Sequence, residues 1–301
     1  MKKTTYFIAI IMMVMGVNAQ TITVNKTYKL TDEHAYHPTF NEDGSQLVFS
    51  SSSYDGLSLY NFLDASITKI TEDEGAGFDP VFSKDGKRVF YKNTVYVNRL
   101  RQEGVKSYSI ATGNTVEMLK PERRSVSHIQ SYHNGVVLLA ENKIFKTTFG
   151  ETNQVINNYV WSDGVDLNII KNNKRIVLNP IEDANGYIWA SMSPNGKMIL
   201  FTAPASGTFV CDLNGKILYD LGYLNAPIWY DDKYVVGMID RDDGHIVTES
   251  KIIMKSINGK TEQVISSPEH MAMFPTASAK AGKIAYNTDP GVIYIVELTI
   301  Q

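Results

Sequence analysis

The side chains best able to do chemistry together lie in the run Asp240-Arg241-Asp242-Asp243-Gly244-His245. Three carboxylates there offer hard oxygen ligands of the kind Ca²⁺ takes, and an added imidazole suits a transition metal. The spacing departs from the calcium-loop pattern, so the run also reads as a solvated acidic turn. Of this loop, Asp242, Asp243 and His245 are the candidate ligand residues. His37, His128 and His270 stand at the entries of strand-like units, as does Asp79. His34 and His37 would share a metal only on a helix, and Pro38 argues against one. The single cysteine, Cys211, has no partner for an internal disulfide; in Thr208-Phe209-Val210-Cys211 it reads as a small buried residue. Neither Gly-x-Ser-x-Gly nor His-Glu-x-x-His occurs. Gly75-Ala76-Gly77 leads into no helix, so no phosphate loop is expected.

The bulk properties exclude some partners. A net charge of −3 provides no field to gather nucleic acid, and the basic pairs and runs are short. The first residues read as an export signal: Lys2 and Lys3, an apolar run over residues 6–17, then Val17-Asn18-Ala19 as a cleavage site. The expected division is a signal peptide at 1–19 and a single domain at 20–301. No cysteine follows the apolar run, so a lipoprotein anchor is not expected, nor is a transmembrane segment in the mature chain. An exported chain without disulfides points to a periplasmic or secreted protein of a bacterial envelope.

One unit repeats along the chain: a Pro or aromatic entry, a short strand, a polar turn ending in Gly, and an apolar strand. Its clearest copy is Pro38-Thr39-Phe40-Asn41-Glu42-Asp43-Gly44-Ser45-Gln46-Leu47-Val48-Phe49. Two more are Pro80-Val81-Phe82-Ser83-Lys84-Asp85-Gly86-Lys87-Arg88-Val89-Phe90-Tyr91 and residues 189–201, with Ser193-Pro194-Asn195-Gly196 at the turn. Weaker copies cover 128–139, with His133-Asn134-Gly135, 227–238, with Asp231-Asp232-Lys233, and 275–286, with Gly282. Asp-Gly and Asn-Gly tolerate the positive φ of tight turns, and short Val-, Ile- and Phe-rich runs read as buried strands. Six such units at this period predict an all-β, six-bladed β-propeller of four-stranded antiparallel blades. Residues 141–180 hold more strand-like material than one blade needs and leave room for a degenerate seventh. The alternating segment 21–30 is expected to close the ring as the outer strand of the last blade, protecting its edge.

The pattern Pro-x-Phe-[Ser/Asn]-x-Asp-Gly, best kept at 38–49 and 80–91, resembles the PD40 repeat of TolB-like, WD40-like propellers. That resemblance implies a binding scaffold with an envelope protein, peptide or glycan as partner, although the N-terminal α/β domain of TolB proteins has no counterpart in this sequence. In such a fold the entry residues His37, Asp79, His128, Tyr187, Asn225 and His270 would gather at one channel mouth, together with the loop carrying Asp242, Asp243 and His245. Trp189 and Trp229 would present rings there. No cofactor and a monomer are expected. The rival reading is a lyase acting on an acidic polysaccharide, with at least three of His37, His128, His245 and His270 converging on a divalent metal.

Overall fold

The computed structural model describes residues 20–132, 135–149 and 156–301. The signal peptide expected at 1–19 and the turn residues His133 and Asn134 lie outside them. The described residues form strands and turns in seven antiparallel sheets. Blade 7 borrows its outer strand from the chain start, β1 (Ile22–Lys29). Blade 1 is β2 (Tyr36–Phe40), β3 (Gln46–Ser50), β4 (Leu57–Asn61) and β5 (Ser66–Thr71). Blade 2 is β6 (Val81–Phe82), β7 (Arg88–Val97), β8 (Leu100–Ser109) and β9 (Thr115–Glu122). Blade 3 is β10 (Val126–Tyr132), β11 (Gly135–Ala140) and β12 (Lys143–Thr148), and blade 4 is β13 (Tyr159–Ser162), β14 (Leu167–Lys171) and β15 (Lys174–Leu178). Blade 5 is β16 (Ile188–Met192), β17 (Met198–Ala203), β18 (Gly207–Asp212) and β19 (Ile217–Gly222). Blade 6 is β20 (Asn225–Trp229), β21 (Tyr234–Asp242), β22 (Val247–Ser256) and β23 (Glu262–Val264). Blade 7 is β24 (Ala272–Ser278), β25 (Lys283–Thr288), β26 (Ile293–Ile300) and β1.

Seven blades correct the expectation of six, and the extra one is where room had been noted. Blades 3 and 4 have three strands each among the described residues, not four. An odd number of antiparallel strands delivers the chain to the opposite face of the ring. β13 therefore runs in the reverse sense of the other innermost strands. Its start, at Asn158, reaches the β16–β17 turn, where Asn158 Nδ2 donates to the Gly196 carbonyl at 3.1 Å. Its end, Ser162, reaches the channel side. A reversed blade has no use for the repeated entry-strand-turn pattern, and its first turn is Asp163-Gly164-Val165-Asp166 instead.

Each blade–blade interface holds one cluster of buried apolar side chains. Neighbouring residues on a second strand point to opposite interfaces, as a strand's alternation requires. On β17, Ile199 and Phe201 face blade 4 while Leu200 faces blade 6. On β7, Val89 and Tyr91 face blade 1 and Phe90 faces blade 3. Burial on both faces is why these strands read as unbroken apolar runs. Cys211 belongs to the blade 4–5 cluster, and burial pushes its thiol pKa up to about 12. It is a packing residue.

The repeated turns have a common cause. Ser83 Oγ accepts the Arg88 amide at 3.0 Å and donates to Asp85 Oδ1 at 2.6 Å, while Asp85 Oδ1 accepts the Lys87 amide at 3.1 Å. Ser193 and Asn195 repeat this: Met198 and Lys197 donate to them at 2.9 Å. Asn41 and Asp43 do the same for Gln46 at 3.0 Å and Ser45 at 2.9 Å. The glycine then supplies positive φ, 68° at Gly86.

Ring closure rests on β1. It pairs with β26 from Ile22↔Ile300 to Lys29↔Tyr294, and Thr21 and Gln301 exchange backbone hydrogen bonds at 2.9 and 3.0 Å. Ile22 is buried in the blade 6–7 cluster.

Two predictions follow from these contacts. Ser83→Ala or Ser193→Ala leaves a turn amide without its acceptor, so each should cost about 1–3 kcal/mol in urea unfolding. Unchanged unfolding in both would refute the role of the hydroxyl. Ile22→Ala, which touches no turn, should cost about 2–5 kcal/mol by opening a cavity at the seam. A loss below about 0.5 kcal/mol would mean that the seam does not carry ring stability.

Candidate functional site

The innermost strands enclose a channel cavity of about 670 Å³. One residue near the start of each inner strand adopts left-handed backbone; in the reversed fourth blade it is Asn158 (φ 57°), at the opposite face, and in the others it is His37 (φ 54°), Asp79 (53°), His128 (52°), Trp189 (53°), Ala226 (43°) and Phe274 (51°). The latter six line the cavity together. In blades 1, 3, 5, 6 and 7 the pairing register shifts at this residue, a β-bulge that re-aims one side chain. In blade 2, Asp79 takes the same conformation just ahead of β6.

Bulges free backbone groups from the ladder, and neighbouring blades satisfy several of them. The His37 amide donates to Asn287 Oδ1 at 3.1 Å, and the Phe274 amide to Met238 Sδ at 3.2 Å. The His128 carbonyl accepts Tyr159 Oη at 2.8 Å, and the Ser191 carbonyl accepts Trp229 Nε1 at 3.4 Å. Each acceptor or donor sits one blade away, so the strained His37, His128 and Phe274 are held by the assembled ring.

The cavity is strongly aromatic. His37 stacks on Tyr54 with centroids 3.8 Å apart, and lies 5.0 Å from Phe274. Tyr54 meets Phe78 edge-on at 5.4 Å. Phe78 and Trp189 are each 41% exposed and Phe274 is 38% exposed, an unusual exposure for three large rings converging on one cavity. Pro38, Pro80, Pro227 and Pro275 line the same wall. His37 Nε2 and Ser191 Oγ are buried there with no hydrogen-bond partner among the described residues.

Asp79 and His128 carry the electrostatics. Asp79 has an open surface, yet it opens into the channel, where the ring surrounds it. That desolvation raises its carboxyl pKa, against the pull of His128 and Lys92. Burial lowers the His128 imidazole pKa, with Asp79 and then Asp163 pulling the other way. Burial likewise lowers His37.

Of the residues singled out in the sequence, His37, Asp79 and His128 thus meet in one cavity. Asp242, Asp243 and His245 sit at the exposed tip of the β21–β22 hairpin, away from the lining. Their carboxylates build the turn: Asp242 Oδ1 accepts the Gly244 amide at 2.8 Å, and Asp243 Oδ1 accepts those of His245 and Ile246 at 2.9 and 3.0 Å. Those amides hold the Asp243 carboxyl below its usual range. His270 lines a different cavity beside this hairpin and stacks on Tyr294, whose Oη lies 3.0 Å from His270 Nε2. Tyr187 packs in the blade 4–5 cluster, two residues before the lining position Trp189. Among the described residues, no three His, Cys, Asp or Glu side chains converge as a metal set. No helix there is long and apolar enough to cross a membrane.

Trp189 and Trp229 line the cavity as the sequence suggested, while Ala226 and Phe274 are lining positions that it did not declare. Two signals run through the inner-strand positions. Gly44, Gly86, Gly135 and Gly196 follow His37, Asp79, His128 and Trp189 at one constant offset. A proline follows His37, Asp79, Ala226 and Phe274 directly.

No known family pattern matches this chain, and no characterised protein matches it by sequence. Among solved structures it is similar to a chain of the mitotic checkpoint complex, at 10% identity over 99% of this chain and 97% of that one, with a TM-score of 0.60. It is more loosely similar to an oligogalacturonate lyase from Vibrio parahaemolyticus (10% identity, 89% and 79% covered, TM-score 0.47). A β-propeller domain from Myceliophteria thermophila stands at the same distance (10% identity, 93% and 100% covered, TM-score 0.47). The seven-sheet ring of the described residues defines a β-propeller fold, and the likeness at a TM-score of 0.60 covers 99% of the chain.

The raised Asp79 pKa has a testable sign. The folded state holds this proton more tightly than the unfolded chain, so the group costs stability as pH rises above the ordinary Asp pKa of about 3.9. Asp79→Asn should therefore be more stable than the parent near neutral pH, and the gain should vanish at about pH 3, where both chains are uncharged at this site. A parent–variant difference in urea unfolding that is constant with pH would contradict the desolvated carboxyl.

Proposed function

We propose that this chain is an exported, TolB-like propeller of the PD40 type, acting as a non-catalytic binding scaffold in the bacterial cell envelope. After removal of residues 1–19 it would work in the periplasm or outside the cell as a monomer. Its ligand, a segment of an envelope protein, a peptide or a glycan, enters the channel cavity. The observation that carries this reading is the set of open aromatic faces, Phe78, Trp189 and Phe274, brought from different blades into one cavity. Exposed rings on a rigid frame are characteristic of binding surfaces, where they supply large contact area with little entropy to lose.

The rival lyase reading fits this cavity poorly. An acidic polysaccharide needs cationic groups to meet its carboxylates, and no Lys or Arg lines the wall. That reading needs at least three of four histidines on one metal, and they are divided: His37 and His128 line the channel, His245 is at a hairpin tip, and His270 lines another cavity.

The test is binding to arrays of envelope-derived peptides and glycans by the mature protein and by a Trp189→Ala, Phe274→Ala double variant. The parent should retain a ligand class that the variant loses by about tenfold or more, because two ring anchors are gone. Its unfolding midpoint should stay within about 2 °C of the parent's, since both rings are exposed. Retention unchanged in the double variant would place the ligand elsewhere. Turnover of polygalacturonate by the parent with divalent metal supplied would overturn the non-catalytic reading.

A further inference from the structure

We infer that the channel cavity is a cation site, built to take the lysine or arginine side chain of an extended polypeptide against the Asp79 carboxylate and the faces of Trp189 and Phe274. This rests on the scaffold reading and names the chemistry of its ligand.

The charge inventory of the wall points one way. Its ionisable side chains are His37, Tyr54, Asp79 and His128; no Lys, Arg or Glu lines it. Asp79 makes no hydrogen bond and no ion pair among the described residues. Lys92, whose charge acts on Asp79, does not line the cavity. It pairs with Glu103 at 3.7 Å and sits 4.7 Å over the Phe78 ring, and its side chain is buried. The two imidazoles are held toward their neutral forms by burial. Once Asp79 is ionised, the cavity contains a carboxylate and no lining cation to balance it. A fixed charge in a partly desolvated site attracts its opposite more strongly than it would in water. The exposed ring faces add to this, since the face of an aromatic ring is its negative pole. An anionic ligand meets repulsion from both.

The shape of the wall selects among cations. Pro38, Pro80, Pro227 and Pro275 have no N–H to offer, and Ala226 and Ala190 present only methyl groups. The polar side chains of the wall, Thr39, Gln130, Ser162, Ser191 and Thr276, are uncharged, so the cation of any ligand has Asp79 as its one lining carboxylate. A Lys or Arg side chain carries its cation on a slender apolar stem, which packs on proline and aromatic surface.

Protons compete with this ligand. Asp79 faces His128 on β10, Lys92 on β7 and Tyr54 from the β3–β4 loop, and Asp163 faces His128 in turn. As pH falls, Asp79 loses its charge and His128 gains one, so both changes weaken cation binding. Affinity is expected to rise with pH through the range where these groups deprotonate.

The experiment is an NMR titration of indole-labelled mature protein with acetyl-Gly-Gly-X-Gly-Gly-amide, where X is Lys, Arg, norleucine or Glu, alongside a chitosan oligomer. Lys and Arg peptides should bind about tenfold more tightly than the norleucine peptide at about pH 7.5, and the preference should shrink at about pH 5. In Asp79→Asn the preference should fall to within about twofold. Asn accepts left-handed backbone readily, so the variant should fold, as an unfolding midpoint not below the parent's will confirm. Equal binding of norleucine and Lys peptides would overturn the cation site while leaving the scaffold reading intact. A preference that survives in Asp79→Asn would remove Asp79 from it. Asp79-dependent binding of chitosan without binding of the Lys peptide would overturn the polypeptide assignment. If no ligand perturbs any indole, the cation site is refuted, and the array experiment alone decides the scaffold reading.

Discussion

A blade of this protein cannot bury its own hydrophobic surface. Each sheet has two apolar faces, and each face is covered only by the next sheet around the ring. Leu200 depends on blade 6 and its neighbour Phe201 on blade 4; Val136 depends on blade 2 and Val137 on blade 4. The chain of dependence has no end until the last blade meets the first. That meeting is made by the cluster of Phe40, Leu47, Ala285 and Ile295, and it is locked by β1 completing the sheet of β26. Stability is consequently a property of the closed ring, and a strand contributed by the chain start decides whether it closes.

The site follows from the same closure. A left-handed residue on an inner strand is strained in isolation. Here the strain recurs around the ring and is held by groups from adjacent blades: Asn287 for His37, Tyr159 for His128, Met238 for Phe274. The bulge also points its side chain at the axis, where residues from different blades meet. Asp79 and His128 belong to neighbouring blades, and their opposed pKa shifts arise from a shared channel that neither blade encloses alone.

Much of this was legible beforehand for a physical reason. Ser-x-Asp-Gly and its variants are local devices, in which Ser83, Asp85 and Gly86 or Ser193, Asn195 and Gly196 satisfy each other's backbone within a few residues. Their recurrence exposes the repeat, and alternation in residues 21–30 exposes the closing strand. The blade count of six failed because it counted those devices. Blade 4 runs in reverse and lacks the device, so its strands could be seen as surplus but not placed. His37, Asp79 and His128 were found because constant offsets from the turns survive in their blades. In blades 5 to 7 the entry was read one to four residues early, at Tyr187, Asn225 and His270, because the turns there are degenerate or their offsets were not applied. The acidic run 240–245 attracted attention by composition, which cannot tell a ligand carboxylate from one already accepting amides in its own turn.

By itself, then, the sequence determined what depends on near neighbours: the β class, the repeat, the turns, the apolar strands buried on both faces, the lone packing cysteine, and the channel residues His37, Asp79, His128, Trp189 and Trp229. Only the tertiary structure decided what depends on sums around the ring. Whether the number of strands in a blade is odd decides which face the chain emerges on, and so the sense of blade 4. Closure decides that seven blades fit. The angular position of each blade decides that Phe78, Trp189 and Phe274 share a cavity with Asp79 while His245 and His270 do not. These residues are far apart along the chain, and no local preference encodes the rotation that brings them together.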